Sequence, residues 1–380
     1  MSTMTSSPNP FHFGKAVSGA DFCPRPKLEA ALREKLRAVQ NTLVQGDRRM
    51  GKTSLILRAS QNLPSYHEIY VDLFGVRTID AVVKRFATAI AEANQTTKWG
   101  TVVGKALSFV SVAFSKGGFT LTFNPARPIT LGSLHEVFAL LKGERNGKWV
   151  VILDEFQEIL KFSEEQERLA VIAQLRSSVQ FLTATPVIFA GSSRNLMHGI
   201  FNHPQSAFFK AAVTLDVGPL ERDAFSDWIC EKFTAGSRRV NRETLERIFQ
   251  LASDVPGDVQ QFCSAIWEVT APGQTFGEDS IPRALERIWE EEQRSNEDIV
   301  SKLTALQQRS LVMLAANPDL TPTAGEFVAK VGAGAQGGSI FKAFERLAEQ
   351  GVLMKKGTKY HFVNPYFREW VKHRFAVDAA

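Results

Sequence analysis

Along the first 220 residues, short apolar runs alternate with longer stretches in which apolar positions recur every three or four residues. The runs Thr42–Gln45, Glu68–Leu73, Trp149–Asp154, Pro186–Gly191 and Val213–Val217 are bounded by Gly, Pro or polar residues and read as strands. All but Glu68–Leu73 have almost no interior charge, as strands covered on both faces should. The helical period fills the gaps at Lys52–Gln61, Ile79–Ala93, Ser133–Lys142 and Glu164–Leu182, with Ser133 and Glu136 spaced as a capping box. Strands and helices in alternation predict an α/β fold, a parallel sheet with helices on both faces.

The rhythm breaks between Asn94 and Thr130. An apolar segment, Val102–Phe114, is followed by Ser115-Lys116-Gly117-Gly118 and by the alternating run Phe119–Phe123, which predicts a hairpin inside an insertion at about 94–130. After Gly218-Pro219-Leu220 the pattern is helical, at Arg222–Phe233, Arg242–Ser253, Asp258–Val269 and Ser280–Arg294. Helices at Thr304–Ala315, Thr323–Lys330 and Ser339–Glu349 then precede two short strands around Gly357, the order of a winged helix-turn-helix. The expected division is a sheet domain at 1–220, a helical lid at 221–300 and a winged helix at 301–380.

Composition narrows the class. The chain has 380 residues, 44% hydrophobic and 22% charged, which fits a globular protein of two or three domains. No uncharged apolar stretch is long enough to span a bilayer, and MSTMTSSPNPFHF lacks a basic segment followed by an apolar one, so a cytoplasmic protein without membrane contact is expected. Cys23, Cys230 and Cys263 form no CxxC pair, and the histidines form no HExxH pair, so neither a zinc site nor a disulfide framework is indicated. Of the net charge of +5, residues 301–380 carry all, with 11 basic and 6 acidic side chains. A neutral body with a basic tail suggests that the tail meets something acidic, or simply presents a solvated face.

The chemistry begins at Gly46-Asp47-Arg48-Arg49-Met50-Gly51-Lys52-Thr53, a gapless GxxxxGK[ST] match, with Ser54 continuing it into a helix. An apolar strand precedes it and a helix follows, the setting this motif needs. Its glycines let backbone N–H groups face a β-phosphate, Lys52 would neutralise phosphate charge, and Thr53 would ligate Mg²⁺. Val150–Leu153 then delivers Asp154 to a strand end, where it can hold Mg²⁺ through water, with Glu155 next to it as general base. A third strand ends in Gly191-Ser192-Ser193; Ser192 could touch the γ-phosphate or the lytic water, or cap the next helix.

Together these motifs resemble the archaeal-type ATPase family, P-loop proteins on the border between AAA+ and STAND NTPases. The matching residues are Phe22-Cys23-Pro24-Arg25-Pro26-Lys27-Leu28, the phosphate loop, Asp154-Glu155, Gly191-Ser192-Ser193 and Gly218-Pro219-Leu220, with a winged helix at the end. The resemblance implies ATP with Mg²⁺ between a sheet domain and a lid. It implies base-side contacts from Phe22 and Arg25, a lid contact at Pro256, and slow hydrolysis driving a conformational switch. A homo-oligomer is one arrangement it allows. Two departures bear on rate. Lys210 stands near where relatives place an arginine that reaches a neighbouring subunit, and Gln260 replaces the arginine of a lid Gly-Asp-x-Arg sensor. Lysine lacks the bidentate geometry of guanidinium.

The partner stays open at this stage. Gln336, Ser339, Lys342 and Arg346 on the expected recognition helix, with Gln350 just beyond it and Lys355, Lys356 and Lys359 on the wing, could meet duplex DNA. Glu345 and Glu349 on the same helix count against DNA, and by the resemblance the unit could instead pack against its own sheet domain or a partner protein. Phe362, Tyr366, Phe367 and Trp370 read as core of that unit. The functions in view are an ATPase switch, a DNA-associated regulator with ATP as structural ligand, and a signalling adaptor in defence or mobile-element systems.

Overall fold

Five strands pair in parallel in the order β2-β5-β6-β1-β7: β1 is Thr42–Gln45, β2 Tyr66–Asp72, β5 Lys148–Asp154, β6 Val187–Gly191 and β7 Val213–Asp216. They belong to a computed structural model that describes residues 7–61, 63, 66–142, 148–322, 324–332 and 334–375. β5 and β6 are buried almost end to end, because helices cover both faces of the middle of the sheet. β2 and β7 lie at the edges and alternate, which accounts for the charge that Glu68 brings into its run.

The 94–130 insertion forms the helix Thr97–Ala106 and an antiparallel pair, β3 (Val110–Ser115) and β4 (Gly118–Phe123). Trp99 packs its ring 4.9 Å from that of the fully buried Trp149, and Phe109 and Phe119 join the main core. The following helix is Leu131–Ala139, so the expected start at Ser133 is corrected: Thr130 is the N-cap and Ser133 closes the capping box from the third position. Glu136 is engaged elsewhere, accepting from the backbone N–H (2.8 Å) and the hydroxyl (2.9 Å) of Ser108.

The chain divides into two compact units, Lys15–Pro219 and one from Leu220 onward, the second also holding residues 7–14. Phe11 explains why the start of the chain belongs there: it is buried against Trp228, Phe233 and Trp267, while Asn9 donates to Ser264. Segments 221–300 and 301–380, expected as separate parts, lie in this one unit. The helix Ile281–Ser301 runs through the expected boundary. From it Trp289 donates to the carbonyl of Tyr366 (3.0 Å), and Glu292 accepts from both Gln261 and Asn364.

The two-residue strands β8 (Arg239–Val240) and β9 (Thr275–Phe276) pair in parallel within this unit. Farther on, the helices Ala305–Ala316, Gly325–Val331 and Gly337–Glu349 precede an antiparallel hairpin, β10 (Leu353–Lys356) with β11 (Lys359–Phe362), and the helix Pro365–Arg374. Thr323, expected to begin the second of these helices, lies outside the described residues. Phe344, Tyr360, Phe367 and Trp370 are all buried in one cluster. Among the described residues no helix is long and apolar enough to cross a membrane.

Candidate functional site

The site is built at the carboxyl ends of β1, β5 and β6, with β6 between the other two. β1 ends at Gln45 and the helix Lys52–Gln61 begins six residues beyond Gly46, so residues 46–51 must curl tightly. Gly46 is confined by packing: a Cβ there would lie 2.3 Å from the carbonyl oxygen of Val217. Gly51 sits at φ +83° and Arg49 at +63°, left-handed backbone that turns the loop. Arg25 fastens the far side, its buried guanidinium donating to the carbonyls of Met50 (2.9 Å) and Gly218 (2.7 Å). Those bonds make Arg25 a brace for the loop. Phe22 is buried, with Arg58 over its ring.

Within the loop, Arg48 and Arg49 are exposed and Met50 is buried. Asp47 pairs with Arg194 (3.4 Å), which also reaches Asp216 on β7 (2.8 Å). Ser54 accepts a hydrogen bond from the N–H of Val17 (3.0 Å), so the segment before the first helix crosses the start of the phosphate-loop helix. Lys52 is buried and donates to the carbonyls of Gly46 and Asp47, both at 2.9 Å. Burial pushes its pKa below the ordinary lysine range, against the pull of Glu155, Asp154 and Asp47.

Thr53 and Asp154 meet as the sequence requires: the hydroxyl donates to Asp154 Oδ2 at 2.8 Å. The same oxygen accepts from Tyr70 Oη at 2.7 Å, and Oδ1 accepts from the N–H of Glu155 at 2.9 Å. Tyr70 escaped the sequence reading. It stands two residues before Asp72 on an edge strand, and only the pairing of β2 with β5 brings it to the acid. Burial and the adjoining carboxylate push its phenol well above the ordinary range, so it remains a donor.

Glu155 takes a left-handed conformation, φ +50°, at the head of the 3₁₀ turn Phe156–Lys161. Phe156 anchors that turn in an aromatic cluster, its ring 4.8 Å from Phe189 and 5.3 Å from Phe208. Ser192 donates to Glu155 Oε2 at 2.8 Å, and the amide of Gln157 donates to the same oxygen. Of the two roles expected of Ser192, capping is not the one it performs here: Ser193 holds the N-cap position, and the hydroxyl of Ser192 serves Glu155. Gln157 and Arg194 are further members that sequence reasoning passed over. Pro256 is the first residue of the helix Pro256–Val269 in the other unit, and Gln260 is buried on that helix.

The residues present suit a nucleoside triphosphate with Mg²⁺. A loop closed to any Cβ at Gly46, a buried ammonium bonded among the described residues to backbone carbonyls, and a hydroxyl–carboxylate pair of hard oxygens supply what such a ligand needs. A five-stranded parallel sheet with a glycine loop after β1, acids after β5 and a third strand between them is the P-loop NTPase fold. Solved structures agree at the level of fold. A Walker-type ATPase of Pyrococcus abyssi aligns with a TM-score of 0.64 at 18% identity, over 96% of this chain and 99% of that one. The ORC1 protein of Aeropyrum pernix, solved in complex with DNA, aligns with a TM-score of 0.51 at 16% identity, over 93% of each chain. The sequence matches no protein-family model and no curated protein.

Proposed function

We propose that this chain binds ATP with Mg²⁺ and hydrolyses it slowly, using the nucleotide as a switch that governs how it engages a protein or DNA partner. The observation that carries this reading is the Thr53–Asp154 hydrogen bond: it ties the phosphate loop to the second acid beside a buried lysine. Bound Mg²⁺ would neutralise phosphate charge, held by Thr53 and, through water, by Asp154. The backbone N–H groups of residues 46–53 orient the phosphates. Lys52 exchanges its carbonyl partners for phosphate oxygens, and Glu155 accepts the proton of the attacking water. Ser192 orients Glu155.

Slow turnover follows from the residues that stand in place of arginine. Lys210 holds a left-handed backbone, φ +52°, with its ammonium over Phe209, and Gln260 carries no charge. An arginine finger supplies roughly three to five orders of magnitude in rate where one is present. ATP titration and phosphate release on the wild type, Lys52→Ala and Glu155→Gln test the reading. Lys52→Ala should lose binding, and Glu155→Gln should bind ATP but release no phosphate. Unchanged phosphate release by Glu155→Gln refutes the role of that acid.

A second reading, duplex DNA as the partner, is favoured by exposed Lys342, Arg346, Lys355 and Lys356 on the helix Gly337–Glu349 and the hairpin, which we take as a winged helix. Lys355 is also drawn to Glu345 (3.4 Å) and to the Phe341 ring, which reduces what it can offer to phosphates. Titration of duplex DNA at several salt concentrations decides: binding whose affinity falls steeply with salt supports this reading, and absent or salt-independent binding rejects it.

A further inference from the structure

Gln157 is the feature that catalytic bookkeeping leaves unexplained. Its side chain is 3% exposed, yet among the described residues its Oε1 has no hydrogen-bond partner. A buried acceptor without a partner is costly, and an apolar side chain of the same shape would fill the space without that cost. Room for the amide depends on Gly191: a Cβ there would lie 2.6 Å from Gln157 Oε1 and 2.5 Å from Met197 Sδ. The fold therefore makes space for a polar group that packing alone does not want. Its amide nitrogen is what it uses, donating to Glu155 Oε2 and lying 3.5 Å from Ser192 Oγ.

The Glu155 carboxylate also attracts the Lys52 ammonium. Lys52 is buried nearby and electrostatically coupled to it, yet the ammonium bonds to Gly46 and Asp47 instead. Ser192 and Gln157 both pull on the same carboxylate oxygen. We propose that Gln157 is a positioning residue for hydrolysis: together with Ser192 it keeps the Glu155 carboxylate from collapsing onto Lys52, leaving the acid to meet water and the lysine to meet phosphate. The role rests on the ATPase reading above. The orphaned Oε1 is then the cost of keeping a donor at Nε2.

The full-length chain carrying Gln157→Leu, and separately Gln157→Met, tests this beside the wild type and Glu155→Gln. Melting temperature, affinity for ADP and a non-hydrolysable ATP analogue, and kcat and KM for phosphate release are measured. Expected are a melting temperature equal to or above wild type, because the orphaned acceptor is gone, and nucleotide affinity and KM within about twofold. The turnover kcat should fall by about tenfold or more as the acid loses its orientation. Both substitutions lowering the melting temperature would make Gln157 a packing residue and overturn the assignment. Normal kcat in both, with Glu155→Gln inactive, overturns the assignment and spares the ATPase reading. A wild type that releases no phosphate removes both.

Discussion

Thr53 and Asp154, 101 residues apart in sequence, share a 2.8 Å hydrogen bond in which the hydroxyl donates to the carboxylate. The bond closes the phosphate-loop helix against the end of β5 and orders the two residues that would serve a metal ion. Asp154→Asn should leave metal-free ATP binding near wild type and abolish the gain in affinity that Mg²⁺ confers. Titration calorimetry with and without Mg²⁺ checks this; an undiminished metal effect contradicts it.

Tyr70 crowds the same carboxylate. With Thr53 and Tyr70 on Oδ2 and a backbone N–H on Oδ1, Asp154 has little acceptor capacity left. Tyr70→Phe should lower the Mg²⁺ concentration needed for half-maximal ATP binding by a few-fold, at a stability cost of about 1 kcal/mol or less because Tyr70 is partly exposed. A higher Mg²⁺ requirement would show that Tyr70 supports the acid rather than competing for it.

Gly236 and Gly46 are each confined by close packing, and each predicts a cost. A Cβ on Gly236 would lie 1.8 Å from the Trp267 ring, and one on Gly46 would meet the Val217 carbonyl at 2.3 Å. Gly236→Ala should destabilise the chain by about 1–3 kcal/mol, as overpacking does. Gly46→Ala should add to a similar loss a marked drop in ATP affinity, since the displaced backbone is the part that faces phosphate. Denaturant melts together with ATP titration separate the two.

His361 on β11 gives the C-terminal unit a pH dependence. Burial, then Lys356 and Lys359, hold its pKa below the ordinary imidazole range; Asp319 pulls upward and Arg368 pushes down. The unfolded chain thus binds more protons than the folded one just below that range, so stability rises with pH there and is lost on acidification. His361→Gln should flatten this part of the profile between about pH 5 and 7. An unchanged slope in urea melts across that window would assign the effect to other groups.

Much of the candidate site was legible because local signals carry it. A loop of fixed spacing between strand and helix, and an acid at the end of an apolar run, place Lys52, Thr53, Asp154 and Glu155 without knowledge of the rest. Tyr70 and Gln157 were not legible, because their roles depend on strand order and on the missing Cβ of Gly191. Helix starts also drifted. Ser133 offered a cap with Glu136 in the right register, but Thr130 three residues earlier offered a competing one, and Ser108 claimed the glutamate. The start of the chain misled for a similar reason: sequence adjacency attached residues 7–14 to the sheet, whereas the aromatic neighbours of Phe11 lie more than 200 positions away.

The helix Ile281–Ser301 has a consequence for the chain's evolution and its engineering. Trp289, Ile299 and Val300 lean on the cluster formed by the last eighty residues, and Tyr366 sends its hydroxyl back to the Asp258 carbonyl at 2.5 Å. Cutting near residue 300 would bare apolar surface on both fragments, so the terminal module cannot be transplanted as a cassette. Any recombination that exchanged it would have to carry the preceding helices along.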